Sequence, residues 1–163
     1  MTDFTRSWEV LIDASVHDVF EYCRDPRHLF AGWPALEVTD VVMTPEGVGT
    51  TAHIVGRFAR GMIVEQIERE YAEVAQDERI VTKAHAKVRF ARQTKDVAKG
   101  PIFTWQFEGK DGGTKVTLMV LEEDLNWVQN LVESVSAVAM GRNLHGMLAA
   151  LKTGVESQTS PAA

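Results

Sequence analysis

Cysteine is almost absent from this sequence, because Cys23 is the single cysteine among 163 residues. A lone cysteine cannot form a disulfide within its own chain, so we expect a protein of the reducing cytoplasm. Residues 1–6 lack the basic start and apolar run of a signal peptide. No apolar stretch approaches the ~20 residues that cross a bilayer, so we expect no stable membrane insertion.

Positive charge is also in short supply, with 17 lysines and arginines against 23 acidic residues and a net charge of −6. This balance disfavours general affinity for a phosphate backbone, and we predict no nucleic-acid partner. One cationic stretch has few aromatic residues on which bases could stack, so we interpret it as a solvated face. It contains Lys83, Lys87, Arg89, Arg92, Lys95 and Lys99.

Motifs for metal binding and nucleophilic catalysis are missing. The five histidines show neither the H-x-H nor the H-E-x-x-H spacing of metal sites, and no G-x-S-x-G turn is present. Cys23 lies on the apolar face of a predicted helix, where a buried, inert thiol is expected. We therefore predict neither a bound metal nor a cofactor.

Hydrophobic periodicity predicts an ordered series of strands and helices. Trp8, Val10 and Ile12 occupy alternate positions of a first strand. Ser15 has the character of an N-cap for a short helix that ends before Pro26, where a second short helix begins. A long helix is predicted from residue 126 to about Lys152. Between the helices we predict strands at 36–43, 48–58, 62–74, 79–92, 101–108 and 114–122, with a polar loop at 93–100.

This order predicts an α+β fold. Strands joined by short turns indicate an antiparallel meander, and a bent sheet can bury one face against the long helix. We expect a curved antiparallel sheet of six to seven strands, two short helices after the first strand, and a long C-terminal helix. The strand with Trp8 should pair with the strand with Thr114. One domain should span residues 1–155, followed by a flexible tail at 156–163.

The motifs in this order resemble the START-like superfamily, which joins Bet v 1-type allergens, polyketide cyclases and lipid-transfer domains. The likeness covers nearly the whole chain and is greatest to the bacterial cyclase/dehydrase-like branch. It implies a helix-grip fold with an internal cavity for a hydrophobic small molecule. The matching segments are residues 10–20 leading into Asp25-Pro26, then Trp33-Pro34, residues 47–50, residues 111–117 and the final helix.

Strand alternation also bears on a cavity. The apolar face of residues 80–90 has only Ala84 and Ala86 at its centre, whereas the next strand turns Phe103 and Trp105 inward. Small residues opposite large ones leave a space that side chains fill or a ligand occupies. With Ile54 inward, His53 should face outward. The candidate ligand-binding residues are Trp33, Phe58, Ala84, Ala86, Phe90, Phe103, Trp105, Leu131, Val135, Val138, Arg142 and His145.

The long helix carries two apolar stripes. Arg142 and His145 continue the stripe of Leu131, Val135 and Val138, whereas a second stripe runs from Met140 to Leu151. Either the buried face rotates and the two polar residues are solvated, or they point toward the cavity. In the second case they would suit a carboxylate, phenolate or enol ligand.

Three functions remain open. The first is binding of a lipid, isoprenoid or aromatic, polyketide-like molecule in the internal cavity. The second is an aromatase/cyclase- or dehydrase-type enzyme, which needs polar groups that converge in the cavity; Arg142, His145, His53 and Tyr71 are the nominees. The third is a protein-interaction module or toxin-like growth regulator. A homodimer is compatible with each of them.

Overall fold

The computed structural model describes the backbone of residues 2–90, 92–97, 100–125 and 127–159, and the side chains of residues 5–89, 92–96, 100–123 and 141–159. The helices are α1 (Val16–Cys23), α2 (Pro26–Leu29) and α3 (Trp127–Thr159). The strands are β1 (Thr2–Ile12), β2 (Leu36–Val42), β3 (Thr51–Phe58), β4 (Ile63–Ala75), β5 (Arg79–Phe90), β6 (Gln93–Val97), β7 (Ile102–Lys110) and β8 (Gly113–Leu125).

The strands form one antiparallel sheet in the order β1-β8-β7-β5-β4-β3-β2, and β6 pairs with β5 outside this path. Trp8 lies opposite Leu118 and Ile12 opposite Thr114, so the predicted pairing of the first and last strands is confirmed. The sheet buries one face against α3, and the predicted α+β helix-grip architecture is confirmed. We call the buried face concave and the other face convex.

Strand β6 lies within the predicted loop at 93–100. The β7 strand pairs with β5 only at Arg79–Thr82, which leaves the edge of Ala86–Phe90 open. The chain folds back along this edge as β6 and supplies the missing backbone partners. The last helix also continues beyond the expected end near Lys152. Residues 156–159, which the sequence assigned to a flexible tail, are helical, and Val155 is buried in the turn before them.

Local capping explains the two short helices. The side chain of Ser15 accepts a hydrogen bond from the Asp18 amide at 3.1 Å, as an N-cap does. Asp25 caps α2 in the same way, and Pro26 occupies its first turn, where a missing amide hydrogen has no consequence. Tyr71 then joins α1 to the sheet, because its hydroxyl donates to the Cys23 carbonyl at 2.8 Å.

A glycine contact sets the loop after α2 against α3. Gly32 has a φ of +82°, and a Cβ at this position would lie 2.3 Å from the Gly146 carbonyl oxygen. Only glycine combines this backbone conformation with such a close approach. The contact holds the adjacent Trp33 near the middle of α3.

The strand register defines two ends of the molecule. Phe58 pairs with Ile63, and Ile63 pairs with Phe90, so the β3–β4 and β5–β6 turns are neighbours. The starts of β2 and α3 lie at this same end, which we call the upper end. The β7–β8 hairpin and the last turns of α3 lie at the lower end. Among the described residues, no helix has the length and apolar character needed to cross a bilayer.

Candidate functional site

The concave face of the sheet combines small and aromatic side chains. Ala84 and Ala86 of β5 are buried, as are Phe103 and Trp105 of β7. Phe58 and Trp33 are half-buried near the upper end. Ile54 is buried, whereas the neighbouring His53 faces the convex side and forms a hydrogen bond with Glu68. The alternation therefore places the two alanines and both aromatic residues where the sequence pattern predicts.

A buried arginine is the main polar feature of this face. Arg69 of β4 has only 5% of its surface exposed. Its Nη1 donates to the Thr82 hydroxyl at 2.8 Å and to the Pro101 carbonyl oxygen at 3.3 Å. Every hydrogen bond found for this guanidinium among the described residues leaves from Nη1. No acceptor for Nε or Nη2 is found in the part of the chain that the structure describes.

Two phenyl rings surround the same guanidinium. The Arg69 Cζ atom lies 4.3 Å from the ring centroid of Phe103 and 5.3 Å from that of Phe30. A cation over the face of an aromatic ring is stabilised by the ring's quadrupole. The arrangement joins an apolar surface to a fixed group of N–H donors, which is the combination that ligand pockets use for orientation.

Burial and a neighbouring carboxyl group determine the charge state of this site. Burial lowers the pKa of Arg69 to about 10, although Glu65 and Tyr71 act in the opposite direction. Arg69 thus remains a cation at neutral pH. Burial raises the pKa of Glu65, and the positive charge of Arg69 partly reverses this effect. Glu65 and Arg69 share the concave face of β4, four residues apart.

Two tryptophans add hydrogen-bond donors without acceptors. The Nε1 atoms of Trp33 and Trp105 are buried and donate to no described residue. A buried N–H without a partner loses its hydration and gains nothing in return, which costs about 1–3 kcal/mol. Acceptor oxygens of a bound molecule would restore these hydrogen bonds.

Two other buried groups have structural roles. The Tyr71 hydroxyl is committed to the Cys23 carbonyl, and burial raises its pKa well above the ordinary value. The Cys23 thiol is fully buried, and burial raises its pKa, so it is not a nucleophile at neutral pH. Among the described side chains, no group of three or more histidine, cysteine or acidic residues is arranged to hold a metal ion.

The structure separates Arg142 and His145 from the concave face. Both are exposed, because the helix buries a different stripe. Of the two orientations that the sequence leaves open, their exposure matches the solvated one, and a contact of either residue with a ligand stays a prediction. The side chains of Phe90, Leu131, Val135 and Val138 lie outside the described residues, so their proposed contacts stay predictions. The stripe that α3 buries consists of Leu144, Met147, Leu148, Leu151 and Val155.

Arg69 and Glu65 are absent from the candidates drawn from the sequence. In β4 both alternating faces are rich in charged residues, so polarity does not indicate which face is buried. The strand register shows which face of β4 is buried. Arg69 lies between Ala52 of β3 and Ala84 of β5, and these two small residues make room for its long side chain.

Comparison with known protein families shows which family the chain belongs to. Residues 1–156 match the family described as polyketide cyclase / dehydrase and lipid transport. The chain belongs to this family. A comparison with curated proteins finds no match. The family membership agrees with the START-like resemblance of the sequence.

Solved structures show the same fold at low sequence identity. The protein TTHA0849 from Thermus thermophilus is 19% identical, with a TM-score of 0.66 over 96% of this chain and 100% of that one. Ms6760 from Mycobacterium smegmatis is 15% identical, with a TM-score of 0.66 over 94% and 92%. The Bet v 1-like Ara h 8.0201 is 15% identical, with a TM-score of 0.59 over 96% and 99%.

Proposed function

We propose that this family member binds a hydrophobic small molecule with acceptor oxygens between the concave face and α3. The observation that carries the proposal is the buried guanidinium of Arg69, which lies beside the rings of Phe30 and Phe103 and whose Nε and Nη2 find no acceptor among the described residues. The family description, which combines cyclase or dehydrase activity with lipid transport, supports an apolar ligand.

The electrostatics support an oxygen-bearing ligand over a pure hydrocarbon. Glu65 is the acidic residue of the same face whose charge acts on Arg69, but none of the hydrogen bonds found for Arg69 among the described residues goes to the Glu65 carboxylate. A buried cation without a matched anion favours a ligand that brings a carboxylate, phenolate or polarised carbonyl oxygen. The indole N–H groups of Trp33 and Trp105 favour the same class.

Catalysis is a second candidate, favoured by the same pair of residues. Arg69 could stabilise negative charge that develops on a carbonyl oxygen, while the Glu65 carboxylate accepts a proton from the adjacent carbon. This assignment fits an aromatase/cyclase- or dehydrase-type reaction. Glu65 is the candidate base because it shares the concave face of β4 with Arg69 and its charge acts on that guanidinium.

A matched pair of dyes tests the proposed binding. The anionic dye 1-anilinonaphthalene-8-sulfonate and the neutral N-phenyl-1-naphthylamine share their aromatic skeleton and differ by the sulfonate group. The Arg69→Met variant should bind the sulfonate dye about 10- to 100-fold more weakly, because a charged hydrogen bond contributes about 1.5–3 kcal/mol. Its affinity for the neutral dye should stay the same.

The control is Arg79→Met, which removes a partly exposed arginine paired with Glu73 and should leave both affinities unchanged. Absence of binding by either dye to the folded wild-type protein would exclude an accessible apolar site. Equal weakening of both dyes in Arg69→Met would mean that Arg69 shapes the site without recognising the anion. Native mass spectrometry of freshly purified protein should then identify the natural molecule by its mass.

A further inference from the structure

The cationic stretch of the sequence gathers at the upper end of the molecule. Arg89 lies near the end of β5, Arg92 in the β5–β6 turn and Lys95 on β6, and all three are exposed. The β3–β4 turn beside them adds Arg60, which is also exposed. We call these four residues the basic rim.

The β3–β4 turn holds an unusual backbone conformation. Ala59, Arg60 and Gly61 have φ values of 49°, 57° and 87° in succession. A residue with a Cβ is strained in the left-handed conformation, so a turn with two such residues in succession is strained. The turn ends at Met62, which has 66% of its surface exposed. An apolar side chain therefore projects beside the basic rim.

The basic rim has no ion pair with any other described side chain. The ion pairs found in this part of the chain do not include Arg60, Arg89, Arg92 or Lys95, whereas the nearby Arg57 pairs with Glu37 at 3.0 Å. The acidic residues Glu122 and Glu123 follow Leu121, the last β8 residue that pairs with β7, and each of them has an interaction with another residue. Four exposed basic side chains therefore cluster at one end of a chain whose net charge is −6, and the exposed Asp96 lies next to Lys95 on β6.

We infer that the basic rim and Met62 form a docking surface for anionic phospholipid membranes. Basic residues are attracted to anionic headgroups at about 1 kcal/mol each, and an exposed apolar residue enters the interface beside them. Met62 favours a membrane over nucleic acid, because thioether contact with acyl chains replaces the stacking aromatics that nucleic-acid grooves use. We expect this membrane contact to be peripheral and reversible. The α3 helix also begins at the upper end of the molecule.

Vesicle sedimentation of the whole chain tests this surface. Wild type should bind anionic vesicles that contain phosphatidylcholine and phosphatidylglycerol in a ratio of about 3:1. It should bind vesicles of pure phosphatidylcholine, which have no net charge, much more weakly. Arg60→Gln combined with Arg92→Gln should lower the partition coefficient about 25-fold, at about fivefold for each basic residue. Met62→Ser should weaken binding to the mixed vesicles without changing its dependence on salt.

The matched control removes two positive charges elsewhere. Lys83→Gln combined with Lys110→Gln should change binding by no more than about twofold, since both sites lie farther from the rim than the ~10 Å Debye length. An equal loss in this control, equal binding to both vesicle types, or tighter binding to duplex DNA than to mixed vesicles would overturn the inference. The measurement requires no bound ligand, so its outcome is independent of the dye experiment.

Discussion

Replacing Arg69 with methionine removes a buried charge and keeps a long, unbranched side chain. The substitution eliminates a short hydrogen bond to Thr82 and a longer one to Pro101. A hydrogen bond to a charged group contributes about 1.5–3 kcal/mol, and the longer contact contributes less. The two cation–aromatic contacts are replaced by contacts between sulfur and the rings, which have a similar energy.

The opposing contribution is the burial of the charge itself. The pKa of Arg69 falls from 12.5 to about 10 in the folded protein. This difference corresponds to a cost of roughly 3 kcal/mol for keeping the cation in the interior. The lost hydrogen bonds and the recovered burial cost nearly cancel. We therefore expect Arg69→Met to change the free energy of unfolding by less than about 1.5 kcal/mol, in line with replacements of other buried charges.

Thr82→Val provides the contrasting variant. It keeps the guanidinium but removes its closest acceptor at a fully buried position, which should destabilise the fold by about 1–3 kcal/mol. Urea unfolding followed by circular dichroism measures both variants, with equal m-values as the check that the unfolded states match. A loss above about 3 kcal/mol in Arg69→Met, more than the charged hydrogen bonds account for, would show that Arg69 is retained for stability. The assignment of this residue to ligand recognition would then fail.

Three further outcomes follow from the structure. Gly32→Ala should cost roughly 2–4 kcal/mol, because strain and a clash combine there, whereas Gly112→Ala, at a similar φ with open space, should cost about 1–2 kcal/mol by thermal melting. Burial raises the pKa of Glu65, so the stability that depends on its proton should be complete below pH ~4 and fall as pH rises through the folded pKa. Glu65→Gln should remove that part of the pH dependence in urea titrations, and an unchanged profile would contradict the raised pKa. Ala84→Leu should lower stability by about 1–3 kcal/mol and also weaken the sulfonate dye, because the added bulk displaces Arg69; a loss of only one property would contradict this coupling.

The fold could be predicted largely because its signals are local. The Ser15 cap, the Pro26 start and the glycine turn between β7 and β8 each depend on a few adjacent residues. Strand β6 could not be predicted in this way, because its five residues show no apolar alternation. Its pairing depends on the edge of β5 that β7 leaves open, and that edge is a property of the assembled sheet.

The candidate site was harder to predict than the fold, for a related reason. Its apolar wall follows from strand alternation, and the structure buries Ala84, Phe103 and Trp105 accordingly. The orientation of Arg142 and His145 stayed open because α3 carries two stripes, and periodicity alone does not show which one meets the sheet. Leu144 and Leu148 lie one helical turn apart on the stripe that is buried. Only the position of the sheet shows that this stripe, and not the other, is the one in contact with it.

Small residues on the inward face of a strand can leave space for a ligand or for a long side chain of the neighbouring strand. The strand register distinguishes these two cases. Ala52 and Ala84 flank Arg69, and Gly56 lies opposite Glu65, so part of the room beside these small residues belongs to long polar side chains. The hydrogen bonds of Arg69 roughly offset its burial cost of about 3 kcal/mol, so stability alone gives little reason to prefer this charge to an apolar side chain of similar length. The ligand with acceptor oxygens that we propose would supply such a reason, because the buried guanidinium would then orient it by hydrogen bonds to a charged group. The polar residue between two small ones is thus the more specific mark of a ligand site than the small residues themselves.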